Sequence, residues 1–248
     1  MEYQERFYRR QYRHDDLTYF QVTVKETDLF IGVRRERFDP AWADWVEEMV
    51  RRQRIQLEEY IQRDPTFLRT LTPHTLLPDA PRLAVNMAEA TALVGVGPMA
   101  SVAGAIADQI GSELVKRSKD VIIENGGDIY LRSTRQRRIG IFAGDSPLSG
   151  RVGLLIKPED TPVGICTSSG SVGHSLSLGQ ADATVILAPS ATLADAVATA
   201  AANIIQGKED LQRAVEYAMS IPGVTGALAI KEDQLAACGR LKLVPIEM

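Results

Sequence analysis

Apolar and polar residues alternate near the start of the chain, and this alternation predicts a β-hairpin. In residues 17–33, LTYFQVTVKETDLFIGV, it runs on both sides of a polar break at Glu26-Thr27-Asp28, which is typical of two strands with one buried face. After Pro40, apolar residues recur at helical spacing through AWADWVEEMVRRQRIQLEEYIQR. This segment is predicted to be a long amphipathic helix with a charged outer face.

The remaining periodicity indicates two similar successions of elements. In the first half, the pattern predicts helices at 82–95 and 98–117 and strands at 121–125 and 128–133. In the second half, it predicts strands at 137–144, 150–158 and 183–189, helices at 191–206 and 209–219, and strands at 225–231 and 239–246. Both halves therefore follow the order strands, helices, strands.

This repetition predicts one domain over residues 1–248, built of two pseudo-repeats at about 15–134 and 135–248. Helix pairs that follow hairpins favour an antiparallel sheet with the helices on one face. The expected fold class is therefore α+β, with a duplicated β-β-α-α-β-β order, rather than a parallel doubly wound sheet.

Composition narrows the class of protein without naming a function. The chain has 45% hydrophobic and 24% charged residues and a net charge of -4, which disfavours a nucleic-acid partner. No apolar run approaches the roughly 18 residues of a membrane span, and two cysteines fit a reducing compartment. We expect a cytoplasmic protein with no membrane partner; a partner protein and a homo-oligomer stay open, because periodicity does not separate an interface from a core.

A glycine-rich stretch, GICTSSGSVGHSLSLGQADA at 164–183, carries the first candidate chemistry. It places Cys166 and His174 among hydroxyls on a predicted loop, and such long loops are usually either functional or disordered. Cys166 is a candidate nucleophile if backbone amides or His174 favour its thiolate. The alternative is a small apolar residue at the end of a strand.

Two further segments carry polar groups at informative spacing. In ENGGDIYL (124–131), Asn125 and Asp128 flank two glycines and offer hydrogen bonds to a ligand, although a plain hairpin turn explains the same residues. On the alanine-rich helix, Asp195 and Thr199 lie four residues apart and therefore share a face. Two hard oxygens at that spacing suit Mg²⁺, whereas a solvated carboxylate and a back-bonded hydroxyl are the alternative.

Taken in order, four stretches resemble the ApbE family of FAD:protein FMN transferases. They are GAIADQIG (104–111), ENGGDIYL (124–131), CTSSGSVGH (166–174) and ADAVATAAAN (194–203). The sequence is most similar to a compact, uncharacterised UPF-type branch of that superfamily. The resemblance implies a duplicated tunnelling (T-fold) architecture with FAD or FMN lying across the sheet.

The resemblance also implies roles for individual residues. Asn125, Gly126, Gly127 and Asp128 would border the nucleotide, and Thr167, Ser168, Ser169 and His174 would close over it. Asp195, Thr199 and a main-chain carbonyl near Ala105 would hold Mg²⁺, which neutralises phosphate charge in phosphoryl transfer.

The chain departs from the family pattern at two places. Asp108 stands where the family has a lysine, and the family's D-P-x-T-G segment is absent. We therefore expect binding of a flavin nucleotide or a related phosphorylated ligand, with Mg²⁺, rather than FMN transfer. The alternatives are an enzyme or accessory of sulfide assimilation into homocysteine that uses Cys166, which the resemblance to this branch suggests, and a non-catalytic interaction protein.

Overall fold

Two antiparallel sheets organise the chain in the computed structural model, which describes residues 13–170 and 178–246. The strands are Leu17–Val24 (β1), Thr27–Arg34 (β2), Val121–Asn125 (β3), Asp128–Arg132 (β4), Arg137–Gly140 (β5), Val152–Ile156 (β6), Val163–Ser168 (β7), Ala183–Ala188 (β8), Gly226–Lys231 (β9), Gln234–Gly239 (β10) and Leu243–Pro245 (β11). The larger sheet has eight strands in the order β1-β2-β3-β4-β7-β8-β9-β10, and the smaller has the order β11-β6-β5.

The helices pack against a single face of the larger sheet. They are Ala41–Arg63 (α1), Pro65–Arg69 (α2), Arg82–Ala92 (α3), Val102–Leu114 (α4), Ala191–Ile204 (α5) and Leu211–Ser220 (α6). Their buried apolar residues share one core with the inward residues of the sheet, such as Ile31, Ile123 and Ile186. The long amphipathic helix and the α+β class with helices on one face are therefore confirmed. Within the described ranges, no helix combines the length and apolarity needed to cross a membrane.

The smaller sheet covers the other face of the larger one. Ile139 and Leu154 from the small sheet share a second core with Ile122, Leu131 and Val185. The strands predicted at 137–144 and 150–158 are present in shortened form, but they pair with each other in this separate layer. Periodicity identified them as strands and did not indicate which sheet they join. The division into two pseudo-repeats stays a prediction.

The C-terminal strands differ from the sequence-based expectation. A single strand was predicted at 239–246, whereas the chain forms β10 at the edge of the large sheet and β11 in the small one. Strand β10 pairs with β9 around a tight turn in which Glu232 has φ 53°. The turn residues are Glu232 and Asp233, without the glycine that usually follows Asn or Asp in a two-residue hairpin, so the sequence pattern missed it.

The stretch 164–183 is not a loop from its start, and this corrects the prediction. Residues 163–168 form β7, which lies between β4 and β8 inside the large sheet. Gly164 is a strand residue that pairs with Tyr130 and Ala188, and a Cβ there would overlap the backbone of Ser190 and Ala191. Its small size permits close packing of a helix rather than flexibility.

A buried ionic network joins the two sheets at one end. Asp120, whose side chain is fully buried, accepts hydrogen bonds from the Ser133 hydroxyl (2.8 Å), the Thr134 N–H (2.6 Å) and Arg34 Nε (2.8 Å). Arg137 at the start of β5 is also buried and binds Asp16 through two hydrogen bonds of 2.6 and 2.8 Å. The network therefore fixes the small sheet against the large one.

These contacts determine how stability should respond to acid. Burial alone raises the pKa of Asp120, but hydrogen bonds from Thr134 and Ser133 outweigh it and hold the pKa well below its usual range. A depressed native pKa stabilises the fold above the unfolded-state pKa near 4, and that contribution is lost as the pH falls below it.

We expect Asp120→Ala to lower the free energy of unfolding at pH 7 by about 3–5 kcal/mol, because it leaves Arg137 and Arg34 without this partner. Denaturant titrations from pH 7 to pH 2 should show the two proteins converging at the acid end. The exposed Asp160→Ala is the matched control. A constant difference between Asp120→Ala and the wild type across this range would contradict the account.

Candidate functional site

Polar side chains line the helix-covered face of the large sheet at the end opposite the ionic network. The alternation of side chains along each strand shows which face they occupy. Cys166 and Tyr130 belong to the core on the helix side, and residues two positions away along a strand share their face. Asp128 and Ser168 therefore point toward the helices, as does Asn125 from β3. All three are buried, so the space between sheet and helices is polar here.

The Asn-Gly-Gly-Asp segment is both a hairpin turn and a border of this polar layer. Gly126 and Gly127 have φ of 71° and 105°, which glycine adopts without strain. A Cβ on Gly127 would lie 3.6 Å from the Thr167 carbonyl oxygen, so the turn sits beside the end of β7. Asn125 Nδ2 donates to the Ala103 carbonyl at 3.0 Å, which ties the turn to α4.

Helix α5 brings the predicted metal-binding residues to this layer. The Gly104 N–H of α4 donates to Asp195 Oδ2 at 2.9 Å, and a Cβ on Gly104 would lie only 2.9 Å from Asp195 Cβ. One turn further along, the Thr199 hydroxyl lies 3.5 Å from the Ala100 carbonyl. Asp195 and Thr199 therefore both face the start of α4, where Ala105 lies.

The charges in this layer repel one another. Burial raises the pKa of Asp195 well above its usual range, and the nearby Asp128 and Asp108 carboxylates raise it further. Such an arrangement favours a proton or a cation at Asp195. In the described part of the chain, no group of three or more His, Cys, Asp or Glu side chains is arranged to hold a metal ion, so protein ligands alone do not form a metal cage.

Asp108 anchors the N-terminus of α5, a role that sequence reasoning missed. Its carboxylate accepts hydrogen bonds from the Ala191 N–H and the Thr192 N–H, both at 2.8 Å, and from the Thr192 hydroxyl at 2.6 Å. A negative group at this position satisfies free backbone donors and complements the helix dipole. A lysine at this position, as in the family pattern, would place a cation beside backbone N–H donors that need an acceptor. This contact explains why the chain has an aspartate here instead of the lysine.

Cys166 lies in the interior of the molecule. Its side chain is fully buried, and its Sγ hydrogen donates to the Ala191 carbonyl at 3.2 Å. Burial raises the pKa of the thiol well above its usual value, and Asp128 and Asp195 raise it further. A reactive cysteine needs the opposite surroundings, so these observations argue against the predicted nucleophile.

The remaining predicted residues lie around the stem of the following loop. Thr167 is half-buried, and Ser169 Oγ lies 3.5 Å from the Ala181 carbonyl, which also accepts from the Gly170 N–H at 2.9 Å. His174 is outside the described residues. The structure thus brings the turn, the end of β7 and the Asp195 face of α5 together around one layer.

Removal of the Asp108 carboxylate tests its anchoring role. We expect Asp108→Ala to lower the free energy of unfolding by about 2–4 kcal/mol, since three donors at the start of α5 lose their acceptor. Denaturant unfolding measures the change. Glu113→Ala, at a partly exposed position of α4, the helix that also carries Asp108, should stay within about 0.5 kcal/mol of wild type. Equal effects of the two substitutions would show that Asp108 is an ordinary surface residue.

Alkylation of the native protein distinguishes the two cysteines. At pH 7.5 we expect iodoacetamide to modify the partly exposed Cys238 first, because Cys166 is buried and its pKa is raised. Mass spectrometry of peptides over time gives the alkylation rates of both cysteines. The urea-unfolded chain, in which both thiols are accessible, gives the reference rates. Faster labelling of Cys166 than of Cys238 in the native state would restore the nucleophile hypothesis.

Comparison with known proteins places the chain in a family. The family model described as AbpE bacteria matches residues 9–232. UPF0280 protein MJ1526 of Methanocaldococcus jannaschii is 38% identical over 226 residues, 89% of this chain and 90% of that protein. A UPF0280 protein of Methanocella arvoryzae is 41% identical over 219 residues, 88% of this chain and 87% of its own length.

Solved structures agree on the fold. The flavin transferase ApbE from Vibrio cholerae superposes with a TM-score of 0.54 at 15% identity, over 90% of this chain and 96% of that one. The ApbE protein of Thermotoga maritima gives a TM-score of 0.56 at 15% identity, over 89% and 96%. The resemblance drawn from the four motifs is confirmed: the chain belongs to the AbpE bacteria family, an ApbE-like branch that includes UPF0280 proteins and has the fold of flavin transferases.

Proposed function

We propose that this protein binds a flavin nucleotide, FAD or FMN, or a related phosphorylated ligand, together with Mg²⁺, between the sheet and helix α5. The observation that carries the proposal is the convergence of Asn125, Asp128, Ser168, Asp195 and Thr199 on one polar layer. These residues come from three strands and one helix, and no core-packing requirement explains them. A cytoplasmic location is part of the proposal and rests on the two cysteines, which fit a reducing compartment.

The donor set fits Mg²⁺. Asp195 Oδ2 accepts from the Gly104 N–H, and burial, followed by the nearby Asp128 and Asp108 carboxylates, raises the pKa of Asp195. A divalent cation would relieve the repulsion between these carboxylates. Mg²⁺ takes one or two protein oxygens and completes its shell with water and phosphates, which agrees with the small number of protein ligands. Asp195, Thr199 and the carbonyl near Ala105 would hold it, and the ion would neutralise phosphate charge.

The chain's own groups would orient the ligand. The Ser168 hydroxyl faces the helices at the end of strand β7, beside the Gly126-Gly127 turn, whereas the Thr167 side chain shares the face of Ile165 on the opposite side of the sheet. Hydroxyl and backbone donors at this position suit phosphate and sugar oxygens. Asp108 is engaged by α5 and supplies no positive charge. We therefore limit the proposal to binding; the transferase names of the structural neighbours make FMN transfer the first reaction to test for.

A role in sulfur assimilation is not part of the proposal, because the burial and raised pKa of Cys166 speak against a reactive thiol. If the protein binds no such ligand, the alternative is a non-catalytic interaction protein.

Thermal unfolding with and without ligand tests the proposal. We expect FAD, FMN or AMP with Mg²⁺ to raise the melting temperature, since a ligand at about 100 times its Kd adds about 2.7 kcal/mol of stability. The shift should require Mg²⁺ and should disappear in Asp195→Ala, while the exposed Asp145→Ala retains it. No shift with any of the three nucleotides at millimolar concentration would contradict the proposed function.

A further inference from the structure

Strand β8 contains a buried hydroxyl that has no partner among the residues that the structure describes. Thr184 is 1% exposed, and within the described part of the chain its Oγ1 makes no hydrogen bond. Buried hydroxyls are normally paired, because an unpaired one loses its bonds to water on folding. The other buried threonines of the described residues all have partners: Thr27, Thr91, Thr161, Thr192 and Thr199. Thr184 is therefore an exception that needs an explanation.

The register of the sheet places Thr184 in the polar layer. It lies directly opposite Ser168 on β7 and opposite Ala229 on β9, and opposed residues of antiparallel strands share a face. Ala229 belongs to the core on the helix side. The Thr184 hydroxyl thus points toward the helices, next to that of Ser168.

The course of α5 brings Thr199 over the same end of these strands. The helix starts over Gly164, where a Cβ would overlap Ala191, and its last turn meets Gly179, where a Cβ would overlap the Ala202 carbonyl. The helix therefore runs along β7. From Ala191 to Thr199 it rises about 12 Å, and β7 covers about 13 Å from Gly164 to Ser168.

We propose that the Thr184 hydroxyl is a hydrogen-bonding contact for the phosphorylated ligand, paired with Ser168 on the neighbouring strand. This inference rests on the proposed function and adds a residue to it that none of the four family-like motifs contains. The hydroxyl makes no bond to any residue that the structure describes, so the ligand supplies its partner. Thr184 is then a positioning residue. Its unpaired hydroxyl lowers the stability of the ligand-free protein, and the hydrogen bond to the ligand offsets this loss.

Three variants separate ligand contact from a structural role. In the ligand-free protein, we expect Thr184→Val to raise the melting temperature by about 2–4 °C, because it removes an unpaired hydroxyl. Thr161→Val is the control and should lower it, because Thr161 bonds both the N–H and the carbonyl of Ser133. In calorimetric titrations with FAD and Mg²⁺, Thr184→Val should bind about 3- to 10-fold more weakly than wild type, and Thr184→Ser should bind within about 2-fold of it.

Each other outcome overturns the inference in an identifiable way. A fall in the melting temperature of ligand-free Thr184→Val, comparable to that of Thr161→Val, would show that the hydroxyl has a partner within the protein. Unchanged FAD affinity in Thr184→Val would remove Thr184 from the site while leaving the proposed function intact. If wild type binds neither FAD, FMN nor AMP with Mg²⁺, the proposed function fails, and this inference fails with it.

Discussion

The close approach of helix α5 to strand β7 and helix α4 is the constraint on which the rest of the structure depends. Gly164 and Gly104 make it possible, since a Cβ at either position would overlap the backbone at Ala191. The alanines of α5, all of them buried, extend the contact along the helix. Because the backbones lie so close, the few polar side chains between them, above all Asp195 and Asp128, are held in a small buried volume.

That closeness gives the carboxylates different roles. Asp108 receives three donors from the start of α5, so its charge is compensated within the fold. Asp195 receives one N–H and lies within the influence of Asp128, so its charge is poorly compensated. A buried carboxylate whose charge is poorly compensated is a local conflict of the kind that proteins tolerate mainly at functional sites.

Periodicity predicted most helices and strands, the antiparallel sheet and the helical face, because these follow from local spacing. The segment around Gly164 was wrongly predicted to be a loop, because the sequence does not distinguish a glycine required for close packing from one required for a turn. The second sheet of β5, β6 and β11 and the unpaired hydroxyl of Thr184 depend on contacts between distant segments, for which the local pattern carries no signal. The four-residue spacing correctly placed Asp195 and Thr199 on one helix face, and their role in binding stays a prediction, whereas the anchoring role of Asp108 required the position of α5.

The location of a bound cation tests the central claim most directly. A crystal of the protein with FAD and Mn²⁺, measured for anomalous scattering, would show whether sheet and helix enclose one site. The account predicts a single strong peak within coordination distance of Asp195 and Thr199, with the ligand's phosphates between that peak and the Gly126-Gly127 turn. A peak on the small sheet or at the molecular surface, with the layer between β7 and α5 empty of ligand, would contradict it.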